Sequence, residues 1–273
     1  MELGETTVSS ARRWPSPSDL LRPARSARRP TFLLPALRRT ALAAGLLALV
    51  PLLFTPQVLA QTATDSWRAG EFAAAYESAS AVDSSEMQLL AARAASDNAV
   101  YVLAEAGEDL GVQLEWLRRA LAAAERAVEL DTASPQALVQ LARARGEIAR
   151  RSGIMQNLNV AGELKRYFDA ALELDPQDAD ALAGLAMWHL ELVQNGVGWL
   201  YGGQRGQVLP LLEAAVAAAP EQINLRVEYA TALRALEAPE LAEEQLRVAL
   251  ALEAVTAVDR AEQERARRLL AAP

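Results

Sequence analysis

Residues 168–192 read FDAALELDPQDADALAGLAMWHLEL, and the division of this stretch decides the fold. Phe168 and Ala171 fall on one helix face, and Leu182, Leu185, Ala186 and His189 recur at spacings of three, one and three, which put them on one face of a second helix. Between the two faces, Pro176 stops the first helix because it cannot continue the backbone ladder. Asp178 stands where its carboxylate can cap the next helix. The stretch therefore predicts two helices joined by a tight turn. The pattern returns downstream, with Leu212, Ala215 and Pro220, then Tyr229, Ala230 and Leu233, then Ala242, Leu246 and Ala249. Weaker copies lie upstream, in Ala120, Ala124 and Ala127 followed by Leu138, Leu141 and Ala142, and in Gly70, Glu71, Phe72 and Ala75.

A first helix marked by a large residue, a leucine, a small residue and an aromatic, and a second marked by alanines and a closing proline, resembles the tetratricopeptide repeat (TPR), whose unit is 34 residues. The resemblance spans most of residues 65–255 and is sharpest over 135–176, 177–220 and 221–254. It implies an all-α fold, a right-handed α-α superhelix in which antiparallel helix pairs stack as a TPR-like solenoid. Alanines at the crossing positions let helices approach closely, and no unit buries its apolar face alone, so at least three must stack. Near 257–272 the chain reads as a capping helix, charged on one side with Leu269 and Leu270 on the other. The segments Leu141 to Leu164 and Leu185 to Val208 are each about ten residues longer than the repeat allows, which predicts two enlarged turns, within 151–163 and 193–207. Such a variant is similar to secreted proteobacterial repeat proteins and, more distantly, to regulator-of-microtubule-dynamics proteins and the T component of some periplasmic transporters.

Composition agrees with close-packed helices. Of 273 residues, 52% are apolar, drawn mostly from alanine, leucine and valine, and only 5% are aromatic. Runs that alternate β-branched with polar residues are missing. Eight arginines and three acids lie in residues 1–60, which leaves 19 basic and 32 acidic residues in the remainder. So acidic a body repels a phosphate backbone, and no nucleic acid is expected as a partner.

The first sixty residues read as an address. Residues 1–37 form a basic, disordered extension, consistent with a true start further in. Residues 38–60 form a signal peptide, in which Arg38 and Arg39 precede an apolar core over 41–54. Pro56 is expected to break the helix before Val58, Leu59 and Ala60, which suit cleavage after Ala60. A periplasmic domain from 61 to 273 follows from that reading. The alternative is an uncleaved anchor facing the periplasm, the one case in which a membrane becomes a partner. The chain has no cysteine, so a lipoprotein anchor has no attachment point.

Chemistry is sparse. His189 is the sole histidine, no nucleophile motif accompanies it, and one histidine does not make a metal site. The chain is expected not to be an enzyme and to need no cofactor. Rare residues nevertheless crowd into 187–203. The glycine-rich segment NGVGWLYGGQRG either closes a structural joint or, with Trp188, His189, Trp199 and Tyr201, walls a small-molecule pocket. The family's groove-facing positions, carried over by the resemblance, fall on Gln136, Val139 and Arg143, then Asp180 and Met187, then Asn224, Val227, Thr231 and Arg234. With its arginines, this groove suits an extended peptide or an acidic tail of a cell-envelope protein. A periplasmic scaffold or adaptor is thus the first expectation and a small-molecule-binding repeat protein the second.

Overall fold

Every regular element among the described residues, 55–153 and 158–272 of this computed structural model, is helical. The basic extension expected at 1–37 and most of the signal peptide expected at 38–60 lie outside them. Helix α1 (Pro56–Ala69) pairs with α2 (Phe72–Ser80). Helix α3 (Ser85–Asp97) runs without a break into a π-helical turn (Asn98–Leu103) and packs on α4 (Leu110–Leu130). Then come α5 (Pro135–Ser152) with α6 (Leu158–Leu174), α7 (Ala179–Gln194) with α9 (Arg205–Ala218), and α10 (Ile223–Ala235) with α11 (Pro239–Ala251). A single-turn helix α8 (Gly198–Tyr201) sits between α7 and α9, and α12 (Ala257–Ala271) ends the array. Apart from the single-turn α8, each helix packs on the next, which makes an α-solenoid.

Local chemistry places the boundaries. Thr55, Ser84, Ser134 and Asp178 each accept a hydrogen bond from a first-turn amide of the helix that follows, and Pro56, Pro135 and Pro239 occupy the first turns of theirs, where a missing N–H costs nothing. Thr256 and Asp259 form a reciprocal capping box at the start of α12. Helix α1 opens at Pro56, five residues ahead of the expected domain start, so Pro56 begins a helix here instead of breaking one, and residues 58–60 lie within its first two turns.

Alanine dominates the core: Ala75, Ala91, Ala124, Ala171, Ala186, Ala215 and Ala249 are all fully buried. At these positions helices touch nearly backbone to backbone, and larger side chains such as Leu117, Leu212, Leu225 and Leu246 fill the spaces between. A close joint lies where α6 crosses α7. The Phe168 ring rests on the α-carbon of Gly184, and a Cβ built there would stand 2.6 Å from the ring's Cζ.

The two enlargements differ in kind. In the first, the extra residues mainly lengthen α5 and α6, since Arg150 and Arg151 both pair with Glu147 one turn earlier and hold the last turn of α5. In the second, Gly196 takes a left-handed φ of 71°, α8 forms, and Gly203 packs so closely that a Cβ would stand 2.7 Å from that of Leu192. The last helix does more than cap. Besides packing on α10 and α11, α12 reaches α1, where Gly70 lies against Ala257. The Tyr101 hydroxyl in the π turn donates to Glu262 (2.7 Å), and Arg268 donates to Glu105 (3.0 Å). The two ends of the array are thus tied together.

Candidate functional site

The tie between the ends encloses the concave side. It leaves a cavity of about 770 Å³ bounded by the inner faces of α5, α7 and α10, the π turn and α12. On α5 the wall is a stripe at helical spacing, Val139, Gln140, Arg143 and Glu147. Helix α7 presents Asp180 and Met187, and α10 presents Asn224 and Glu228. Glu262 and Arg265 close the far side from α12.

Of the nine groove positions expected from the repeat register, five line this cavity: Val139, Arg143, Asp180, Met187 and Asn224. The other four are occupied elsewhere. The side-chain amide of Gln136 donates to Asp178 (3.2 Å) and so braces the start of α7. Val227 is fully buried in the core beneath α10, out of a partner's reach. The Thr231 hydroxyl donates to the carbonyl of Val227 (2.8 Å), and Arg234 lies off the cavity, its Nε buried without a hydrogen-bond partner. The physical reason is that positions three and four after Asn224 straddle the inner stripe. Packing against the neighbouring helices turns Glu228 inward and Val227 into the core, and periodicity alone does not choose between them.

Arg143 is less available than a groove arginine would be. It stands 3.7 Å from Asp97, which is 3% exposed and accepts a 2.8 Å hydrogen bond from the Trp67 indole. Burial raises the Asp97 carboxyl above its ordinary range, against the opposing pull of Arg143 and Trp67. Arg143 itself stays firmly charged, because Asp97, Tyr101 and Glu228 outweigh the cost of its burial. Across the cavity, burial pushes Glu228 up to about 7. Arg143 works against that rise, and Glu262 and Asp180 add to it. Glu228, Gln140, Tyr101 and Glu262 had no signal in the repeat pattern. They become neighbours of one space only when the array curves back on itself.

The crowded stretch 187–203 does not assemble one pocket. His189 is 5% exposed, and its Nδ1 accepts from the Gln204 backbone N–H (3.0 Å), which fastens the glycine-rich turn to α7. Burial lowers its pKa, in keeping with a neutral ring that accepts. Trp188 is buried edge-on against His189 and donates from its indole to the carbonyl of Ala161 (2.8 Å). Tyr201 packs against the same cluster, whereas Trp199 points outward and is 84% exposed. A cleft of only about 70 Å³ adjoins Trp188, bounded by Val160, Leu164 and Leu192. Among the described residues no three His, Asp or Glu side chains are grouped as metal ligands, and no helix is long and apolar enough to cross a membrane.

Comparison with known proteins agrees with this geometry. Residues 58–200, more than half of the chain, match the family model described as regulator of microtubule dynamics protein 1-3. The crystal structure of TTC0263, a thermophilic TPR protein of Thermus thermophilus, superposes with a TM-score of 0.59 at 14% identity, covering 80% of this chain and all of that one. A crystal structure of MamA protein gives a TM-score of 0.40 at 15% identity, covering 72% of this chain and 90% of that one. No curated protein sequence matches the chain. The architecture shared with TTC0263 is that of a TPR-like helical repeat.

Proposed function

The chain belongs to the regulator of microtubule dynamics protein 1-3 family, and from that premise we propose that it is a non-enzymatic scaffold that holds a protein or peptide partner in its concave cavity. The single observation that carries the reading is the cavity itself. About 770 Å³ of space is lined by residues of the successive inner helices α5, α7 and α10, so an extended segment laid in it would touch several repeats at once. The Nδ1 of the sole histidine accepts from a backbone amide, not from a nucleophile's hydroxyl, which supports the non-enzymatic reading. The signal-peptide reading of residues 38–60 supports a periplasmic site of action and hence a partner in the cell envelope. The family's name speaks of microtubules, and that association belongs to the proteins it was coined for.

The test places a benzophenone photo-cross-linker at Met187, on the cavity wall, and separately at Leu241, which is 53% exposed on α11. Cross-linking in intact cells from position 187 and not from 241 is the expected result. Adducts from 241 alone would refute a cavity-bound partner.

A further inference from the structure

We infer that the partner segment received by the cavity is cationic, a lysine- or arginine-bearing peptide whose charged head pairs with the Glu228 carboxylate. The inference rests on the cavity being the partner site and deepens that reading by naming the chemistry it selects. The wall carries seven carboxylates against five guanidinium groups. Each of the five guanidiniums already stands within ion-pair distance of a carboxylate, Arg143 beside Asp97 (3.7 Å), Arg265 beside Glu262 (3.4 Å) and Arg150 beside Glu147 (2.7 Å) among them. An incoming anion would therefore have to break an existing pair and meet the surplus acids as well.

The carboxylates divide differently. Among the described residues, Glu228 is the one on the cavity wall with no ion pair. A carboxylate left unpaired in a partly enclosed space is costly, and a cation brought to it recovers that cost. A second observation points the same way. Gln140, 3% exposed on the α5 wall, has a side-chain Oε1 that meets no donor. A buried acceptor without a donor favours a ligand that brings N–H groups, as ammonium and guanidinium heads do. The remainder of the wall, Val139 and Met187, offers apolar surface to the methylene stem of such a side chain. Protonation enters as well. The groups that face Glu228 are Arg143 from α5, Asp180 from α7, and Glu262 and Arg265 from α12, and with a midpoint near 7 it loses its charge, and its hold on a cation, as pH falls through neutrality.

The experiment is fluorescence anisotropy on the full chain with short fluorescein-labelled peptides alternating serine with lysine, with glutamate or with glycine. The lysine peptide is expected to bind saturably. Glu228→Gln weakens it about tenfold, the scale of one lost charge-assisted contact. Glu243→Gln, which removes an equal charge from the exposed outer face of α11, leaves the affinity unchanged. Equal binding of the glutamate peptide, equal weakening by the two variants, or no binding of the lysine peptide overturns the inference. A partner cross-linked from position 187 in that event leaves the scaffold reading standing, and the loss of both removes the two together.

Discussion

Replacing Glu228 with glutamine removes a charge from the cavity wall while keeping the size and shape of the side chain, so the folded protein alone reports on the electrostatics. Burial moves this carboxyl from its ordinary 4.5 up to about 7. The unfolded chain ionises near 4.5 and the folded chain near 7, so between those values the folded state binds more protons. Stability from this group is then complete below about 4.5 and is lost as pH rises through about 7. At 1.36 kcal/mol per pH unit the interval corresponds to about 3 kcal/mol, and solvent at the exposed end of the side chain trims it to about 2. Glutamine carries no such penalty. The variant should therefore match the wild type near pH 4.5 and exceed it by about 2 kcal/mol near pH 8, or by about 4–8 °C in melting temperature for a domain of this size. Circular-dichroism melts and urea titrations of both proteins across that range measure the difference. If the two stability curves run parallel from acid to alkaline pH, Glu228 is not an uncompensated buried carboxylate and the cavity electrostatics are misjudged.

Other perturbations test the packing. Gly184→Ala adds helix propensity of about 1 kcal/mol but drives a methyl group into the Phe168 ring, so a net loss of about 1–3 kcal/mol is expected in urea unfolding. His189→Phe keeps a ring on α7 while removing the acceptor for the Gln204 N–H, which costs about 1–3 kcal/mol at neutral pH. Because the folded protein lowers the His189 pKa, its contribution is present above the ordinary 6.5 and fades as pH falls below it. Melts of this variant should therefore show a flatter acid limb than the wild type.

Much of the fold was legible residue by residue. The stretch 168–192 breaks at Pro176 and restarts under Asp178, whose carboxylate does accept from Ala181 N–H (2.8 Å). Phe168, Ala171, Leu185 and Ala186 are buried as their spacing requires. The three clearest units coincide with the pairs α5–α6, α7–α9 and α10–α11, and Gly70 ends α1 in the left-handed region as an upstream unit demands. The cavity was legible only in part. Arg143 and Asp180 lie on its wall, but no register shows that Arg143 faces a buried Asp97, or that Val227 turns inward to the core while Glu228 looks out into the cavity.

Helix boundaries and the apolar face of each helix rest on contacts within a few residues, through capping side chains, prolines and a repeat of 3.6 residues per turn, and such contacts are written directly in the sequence. Tertiary structure alone decided that the two ends of the array meet. The hydrogen bond from Tyr101 to Glu262 joins residues 161 apart, and its existence depends on the small rotation that each helix pair adds to the last. That accumulated curvature encloses the cavity, uses up its arginines in internal pairs and leaves Glu228 without one.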